Sequence, residues 1–203
     1  MGDGWRDPGQ VAEYLSREIP HREIAEGLLL DALPARLGQV LDLGTGDGRT
    51  IALIRERYPQ AAAIGTDFSE PMLERAAERF SGDALVQLQK HDLTRPLGQL
   101  PRCDAVVSAL AIHHLEHERK RTLFGEIHSL LAVGGVFANL DLVASASVSE
   151  HERFRRAIGR PQDDPADRLA GLCEQIQWLD QAGFAEVECA FKWRELTLIL
   201  ARR

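Results

Sequence analysis

No stretch of the 203-residue sequence has the roughly 20 consecutive apolar residues that a membrane-spanning helix needs. Residues 1–7 are polar and acidic, without the basic and apolar regions of a secretory signal. The sequence also lacks internal repeats, low-complexity tracts and any change of composition that would mark a domain boundary. We therefore expect a single cytoplasmic domain covering residues 1–203, with no membrane partner.

Cysteines are few, and basic residues are outnumbered by acidic ones. Cys103, Cys173 and Cys189 are scattered and odd in number, without the spacing of metal ligands, so we expect reduced thiols and no disulfide framework. The chain has 24 Lys and Arg against 31 Asp and Glu, which gives a net charge of −7. A negative protein gains no long-range attraction to phosphates, and this argues against a nucleic-acid substrate.

A glycine-rich segment is the most informative feature that the sequence does contain. The apolar run 40–43 enters the turn 44–48 (GTGDG) and leaves into residues 51–54 (IALI), which predicts a strand, a tight turn and a helix. In α/β domains such a unit lines a nucleotide-like ligand with backbone, and glycines let that backbone approach closely. A second apolar run, 61–66, ends at Asp67, where a parallel strand would place a carboxylate against ribose hydroxyls.

The charges around this turn distinguish between two cofactors. The glycine spacing is G-x-G-x-G, whereas dinucleotide enzymes have G-x-G-x-x-G. Asp42 precedes the turn and Asp47 lies within it, and carboxylates are unfavourable beside a pyrophosphate. An ammonium and a sulfonium would be attracted by them. S-adenosylmethionine is therefore favoured over NAD, although an NAD-linked oxidoreductase stays as a weaker interpretation.

Apolar runs and amphipathic stretches alternate along most of the chain, which is typical of a parallel, doubly wound sheet. The helix that includes residues 123–131 is predicted to stop at Gly134–Gly135. A short turn at residues 192–194 is predicted to join the last two strands. We expect an α/β fold with a Rossmann-like, doubly wound, mostly parallel seven-stranded sheet and a C-terminal antiparallel hairpin. Its strands are predicted at 40–43, 61–66, 84–88, 104–108, 136–140, 184–191 and 195–200.

From residue 40 to the C-terminus the sequence resembles the class I S-adenosylmethionine-dependent methyltransferases. The resemblance implies a single methyltransferase domain with a helical N-terminal lid (1–38), a cofactor-binding core (39–143), an insertion or cap (144–170) and a final helix and hairpin (171–203). The segments that carry it are 40–48 (VLDLGTGDG), 65–69 (GTDFS), 91–93 (HDL), 103–110 (CDAVVSAL) and 130–137 (LLAVGGVF).

The resemblance also implies contacts with S-adenosylmethionine and its product S-adenosylhomocysteine. Asp67 would accept hydrogen bonds from both ribose hydroxyls, and Asp92 would bind the adenine amine. The methionine part would lie against Asp42 and the backbone of Gly44, Thr45 and Gly46. The remaining contacts would be Phe68, Met72 and Leu93 around adenine, and Ser108 and Ala109 beside the sulfonium. Met72 is equally consistent with core packing on its helix.

Catalytic residues are harder to identify, because methyl transfer needs alignment more than acid–base chemistry. His113 and His114 follow the fourth strand, and we expect His114 to act as a base if the acceptor must lose a proton. In the lid, Tyr14 could assist a base and Arg22 could clamp the cofactor's carboxylate, although Tyr14 also fits a packed helix face. His117 completes no cluster with ligand spacing, so no metal is expected.

We therefore expect an S-adenosylmethionine-dependent methyltransferase that acts on an oxygen, nitrogen or carbon nucleophile of a small molecule. Two alternatives remain: modification of a tRNA wobble base, and a protein that binds the cofactor without transferring its methyl group. The chain is expected to be a monomer or a homodimer. The walls of the pocket for the acceptor would come from the lid and the cap, where the sequence pattern is least informative.

Overall fold

A computed structural model describes residues 7–16, 18–160 and 162–203 of the chain. Its strands form one sheet in the order β3-β2-β1-β4-β5-β7-β6, with bounds β1 Gln39–Leu43, β2 Ala62–Asp67, β3 Val86–Lys90, β4 Cys103–Ala109, β5 Leu131–Leu142, β6 Ala185–Trp193 and β7 Leu196–Arg202. The first five strands are parallel to one another, while β7 is antiparallel to both β5 and β6. The predicted seven-stranded sheet with a terminal hairpin is thus confirmed.

Helices cover both faces of this sheet. None in the described part of the chain is long and apolar enough to cross a membrane. In chain order they are α1 Pro8–Leu15, α2 Arg22–Ala32, α3 Arg49–Arg57, α4 Glu70–Arg79, α5 His117–Leu130, α6 Val148–Ala157 and α7 Leu172–Gln181.

Two apolar cores form because successive strand residues point to opposite faces. In β1, Val40 belongs to the core that α2 and α3 cover, whereas Leu41 and Leu43 belong to the core under α5 and α7. Burial on both faces explains why the central strands are continuous apolar runs. The two cores thus join the sheet to the helix layers on its two faces.

The strand order reverses direction at β1, which pairs with β2 on one side and β4 on the other. In open α/β sheets, ligands bind at such a switch point, outside the carboxyl ends of the strands. The glycine turn follows β1 directly at this edge. The topology therefore places the candidate site between the ends of β1, β2 and β4.

The helix predicted to run to Gly134–Gly135 ends earlier than the sequence suggested. Helix α5 stops at Leu130, and Leu131 is already extended and pairs with Cys103 of β4. The register then shifts, because Gly134 has a φ of +79° and its N–H donates to the carbonyl of Arg203 at 2.8 Å. The glycines thus form an irregularity within β5 and do not end the helix.

Two other predicted boundaries were also wrong. Strand β3 begins at Val86, because the Asp83 carboxylate caps the preceding turn by accepting the N–H of Leu85 at 3.0 Å. The terminal hairpin turns at residues 194–195, so β6 continues to Trp193. Arg194 supplies the positive φ, +53°, that so short a turn requires.

Two segments outside the sheet cover its carboxyl edge. Between α1 and α2, residues 18–21 cross the mouth of the crevice, with the predicted break at Pro20. On the other side, the segment 144–170 carries α6 and then packs on the 3₁₀ turn 112–114. The N–H of Arg168 donates to the carbonyl of His113 at 2.9 Å.

Candidate active site

A cavity of about 970 Å³ opens at the carboxyl ends of β1, β2 and β4. The lid segment between α1 and α2 closes one side of it, and the turn after β4 closes another. Many of the residues predicted for the site lie in its wall: Arg22, Gly44, Thr45, Gly46, Asp67, Phe68, Met72, Leu93, Ala109 and His114.

The glycine turn is fixed by the neighbouring strand β2. The N–H groups of Gly44 and Thr45 both donate to the carbonyl of Thr66 at 2.8 Å. A Cβ at Gly44 would come within 2.2 Å of the Ala111 side chain, so no larger residue fits there. Gly46 has a φ of +55°, and its N–H donates to the Asp67 carboxylate at 2.9 Å. The bare backbone of this turn therefore forms one wall of the cavity.

Asp67 ends β2 and joins the turn to the helix that follows. Its second oxygen accepts the N–H of Ser69 at 2.8 Å, while Ser69 itself caps α4. Burial raises the pKa of Asp67, and the backbone donors at Ser69 and Gly46 oppose that shift. The carboxylate lines the cavity with Phe68 beside it, and Met72, although buried on α4, reaches the same wall.

Asp42 and Ser108 lie behind the turn and do not line the cavity. Asp42 is 1% exposed and accepts the Thr45 hydroxyl at 2.7 Å, and its other oxygen has no hydrogen-bond partner among the described residues. Burial raises the pKa of Asp42 to about 7, with further contributions from Asp67 and Asp47 and an opposing one from Thr45. The Ser108 hydroxyl donates to the carbonyl of Leu43 at 2.8 Å. Both side chains therefore brace the turn from behind.

Asp92 also stays out of the cavity wall, since its carboxylate accepts the N–H of Thr94 at 2.9 Å. The adjacent His91, which sequence reasoning missed, does line the cavity. Its backbone N–H donates to the carbonyl of Asp67 at 2.8 Å, and its Nε2 is buried without a partner in the described structure. Its position at the end of β3 was the signal that could have identified it.

Two arginines of the cavity wall share one carboxylate. Glu26 of α2 accepts Nε of Arg22 at 2.7 Å, and it binds Arg49 through both Nε at 2.8 Å and Nη2 at 2.7 Å. Desolvation opposes the lowering of the Glu26 pKa that these arginines produce, but the net shift is downward. Arg49 was not predicted from the sequence. Tyr14 falls in α1, but its side chain lies outside the described part of the structure.

His113 and His114 lie side by side, with their ring centroids 3.9 Å apart, but only His114 lines the main cavity. His113 is buried, and its Nδ1 lies 2.5 Å from Asp141 at the end of β5. Burial lowers the pKa of His113, but Asp141 outweighs it and the net shift is upward. His114 lines the cavity, and burial next to His113 lowers its pKa to about 3. His114 is therefore neutral near pH 7 and a weak base.

The cap brings Asp167 to both imidazoles, which the sequence did not predict. One oxygen of Asp167 lies 3.6 Å from Nε2 of His113 and 3.5 Å from Nδ1 of His114. Ligand atoms of these three residues lie within 4.8 Å of one another, a spacing that a metal ion could bridge. Lys120 is buried beside them, and its ammonium donates to the carbonyls of His113 and Arg168. That positive charge disfavours a further cation.

Comparison with known proteins agrees with this geometry. A family model described as a methyltransferase domain matches residues 40–135. A trans-aconitate 2-methyltransferase of Methylobacterium nodulans is 29% identical over 181 residues, covering 85% of this chain and 67% of that protein. An uncharacterised methyltransferase of Geobacillus kaustophilus is 31% identical over 157 residues, covering 73% and 69% of the two chains.

The fold is shared with solved structures of very different sequence. Human N-acetylserotonin methyltransferase, solved in complex with S-adenosylmethionine, superposes with a TM-score of 0.70 at 17% identity, covering 98% of this chain and 57% of that one. The chain spans 43% to 69% of the length of the curated relatives it matches. The glycine turn, the switch-point cavity and these relatives together show that the chain belongs to the class I S-adenosylmethionine-dependent methyltransferases.

Proposed function

We propose that this chain catalyses methyl transfer from S-adenosylmethionine to an oxygen, nitrogen or carbon nucleophile of a small molecule. The observation that carries the proposal is the cavity of about 970 Å³, which has a bare-backbone turn on one side and His114 on another. Pockets of this size enclose ligands of drug-like dimensions, so there is room for a nucleoside and a compact acceptor together.

On the cofactor side, the wall fits an adenosyl group. Gly46 leaves space that a Cβ would fill, with only the sulfur of Met72 nearby at 3.9 Å. Asp67 would accept the ribose hydroxyls, and Phe68 and Leu93 would enclose the adenine. The buried Nε2 of His91 is a further polar group available to the base. The bound cofactor supplies a methyl group on a sulfonium, which is a good leaving group.

The lid would hold the methionine part. Since Glu26 engages Arg49 through two nitrogens and Arg22 through Nε alone, the terminal nitrogens of Arg22 are the better placed to bind a carboxylate. Asp42 would act from behind the turn, where its negative charge favours the nearby ammonium of the methionine part. Closing the crevice would also exclude water from the reacting atoms.

On the acceptor side, His114 would orient the nucleophile. A base with a pKa of about 3 does not retain a proton taken up near neutral pH, so abstraction is a poor assignment for this imidazole. A neutral ring that accepts a hydrogen bond still aligns a hydroxyl or an amine with the methyl group. Tyr14 stays a proposal that rests on the sequence alone.

A small-molecule acceptor is supported by the relative named for trans-aconitate and by the net charge of −7. Calorimetry with S-adenosylmethionine and with NAD tests the cofactor, and we expect binding of the former alone. Methyl-labelled cofactor is then supplied with a metabolite pool or with bulk tRNA. Label in the metabolites supports the proposal, label in tRNA overturns it, and tight binding without transfer to either shows a non-catalytic protein.

A further inference from the structure

A small recess of about 50 Å³ lies under the cap and adjoins the main cavity. Ile19, Leu110 and His114 line both spaces, so the recess lies next to the place where the acceptor would stand. The cap helix α6 closes it with Phe154 and Arg155. Liquid water occupies about 30 Å³ per molecule, so the recess has room for one small polar group.

Arg155 has an unusual environment for a charged residue. It is 3% exposed, and its Nε is buried with no hydrogen-bond partner among the described residues. Its guanidinium also forms no ion pair with any described residue. By contrast, Arg153 of the same helix pairs with Glu150, and Arg156 pairs with Glu152. A guanidinium stays protonated in proteins, so this side chain cannot escape its burial by losing charge. A buried charge without a partner is strongly unfavourable.

The nearby carboxylates already have other partners. Asp164 lies 3.6 Å from Arg160 and accepts the N–H of Ala166 at 3.0 Å. Asp167 faces the two imidazoles, and burial raises its pKa although His113 and Arg155 act in the opposite direction. Neither carboxylate is within ion-pair distance of Arg155. Among the described residues, the positive charge of Arg155 is therefore left without a direct counter-ion.

Charged groups of both signs surround Arg155 under the cap. The carboxylates are Asp141, Asp164, Asp167 and, at the exposed lid side, Glu18. None of them is within ion-pair distance of Arg155 in the described structure. Its guanidinium is therefore the buried charge that the recess leaves without a partner.

We propose that Arg155 binds a carboxylate of the methyl acceptor in this recess. The proposal rests on the proposed function and specifies the acceptor as an acidic small molecule. Its carboxylate would occupy the recess, and its nucleophile would extend past His114 into the main cavity. A carboxylate can accept two parallel hydrogen bonds from the planar guanidinium of Arg155, and it neutralises that charge. A water molecule would leave that charge in place, and a metal ion would increase it.

The first test uses stability, because an anchor for a ligand costs stability when the ligand is absent. Replacing a buried, unpaired ion by an apolar side chain of similar length removes its desolvation penalty. We therefore expect Arg155→Met to raise the unfolding temperature of the ligand-free protein by about 3 °C or more. Arg153→Met, on the exposed face of the same helix, should change it little. A lower unfolding temperature for Arg155→Met would show a structural role and overturn the proposal.

The second test uses acetate, a carboxylate small enough for the recess, with acetamide as its neutral match. With S-adenosylhomocysteine present and chloride holding the ionic strength constant, acetate should raise the unfolding temperature of the wild type. It should have no such effect on Arg155→Met, and acetamide should have none on either protein. Equal responses of the two proteins to acetate would reject a carboxylate site. Inorganic phosphate is tested separately at the same ionic strength, and a response of the wild type to phosphate but not to acetate would reject it too.

The two proposals can fail separately. Arg155 lies outside the main cavity, so Arg155→Met should bind S-adenosylmethionine with the affinity of the wild type. If the wild type bound no S-adenosylmethionine, the proposed function would fail whatever acetate did. If both proteins bound the cofactor while acetate failed to distinguish them, the carboxylate site alone would be rejected.

Discussion

The wall around the glycine turn and the recess under the cap meet at His114, but they are built in different ways. In the first, backbone groups close in sequence or on the adjacent strand satisfy the polar side chains, as Gly46 and Ser69 do for Asp67. In the second, side chains from distant segments satisfy one another, as Asp141 and Asp167 do for His113. A backbone-built wall tolerates few changes of conformation, whereas a recess built from side chains can be altered residue by residue.

The two regions also differ in charge. Asp42, Asp47 and Asp67 surround the turn, whereas the recess under the cap contains the buried, unpaired guanidinium of Arg155. This polarity suits a cationic cofactor on one side and an acidic acceptor on the other. Because both ligands compensate charges that are unfavourable in the empty protein, each should stabilise the fold when it binds.

The strongest test of the comparison removes the carboxylate on which the recess is built. Asp141 accepts His113 twice, from its N–H at 2.8 Å and from Nδ1 at 2.5 Å, and also accepts the N–H of Leu142 at 2.9 Å. Breaking a buried charged pair leaves its partner uncompensated, which typically costs 3–5 kcal/mol. We expect Asp141→Ala to lower the free energy of unfolding by about 4 kcal/mol in chemical denaturation.

A matched control is Asp180→Ala, since Asp180 is an exposed aspartate at the end of α7. That change should stay within about 0.5 kcal/mol of the wild type. A loss below about 1 kcal/mol for Asp141→Ala would show that the recess does not depend on this pair.

The second-largest expected effect concerns cofactor binding by Asp67, in the wall around the glycine turn. Hydrogen bonds to a charged group contribute about 1.5–3 kcal/mol each, and Asp67 is expected to accept two from the ribose. Asp67→Ala should therefore weaken S-adenosylmethionine binding about 100-fold, measured by calorimetry. Asp67→Asn keeps one acceptor oxygen, so its affinity for S-adenosylmethionine should lie between those of the wild type and Asp67→Ala.

The exposed Asp31, paired with Arg57 at the surface, provides the control for this measurement. Asp31→Ala should leave the affinity unchanged. Near-normal binding by Asp67→Ala would contradict the ribose assignment and remove the main contact proposed for the backbone-built wall.

The same contrast explains what could be predicted from the sequence. The turn between β1 and α3 depends on glycines, a preceding aspartate and an alternating apolar pattern, all close together in the sequence, and its place in the fold was predicted correctly. Asp67 follows from the position of its strand end. Such features depend on backbone conformation, which local sequence largely determines.

The recess could not be predicted in this way. Asp167 reaches His113 and His114 only because the cap folds back over the end of β4, and no local pattern in residues 158–170 signals that path. Burial also bears on one expectation. Inside the protein, burial and the neighbouring His113 lower the pKa of His114 to about 3, an effect that its position in the sequence does not signal.

The smallest predicted effect tests the acidic side through pH. Asp42 has a pKa of about 7 in the folded protein and an ordinary value near 3.8 when the chain unfolds. Between these values the unfolded chain has released a proton that the folded protein retains, so stability falls as the pH rises and then levels off. The asparagine side chain of the variant does not titrate in this range, so the variant does not lose stability in this way. The stability of Asp42→Asn relative to the wild type should therefore increase from pH 5 to pH 8, by about 2.6 kcal/mol.

Comparing the two proteins at each pH cancels the groups that titrate alike in both, so the difference reports Asp42. Asp31→Asn, at an exposed position, should show a flat difference across the same range. A flat difference for Asp42→Asn would mean that Asp42 is ionised throughout. Its charge would then already be compensated in the ligand-free protein, and the expectation that a bound cation relieves an unfavourable charge at Asp42 would be wrong.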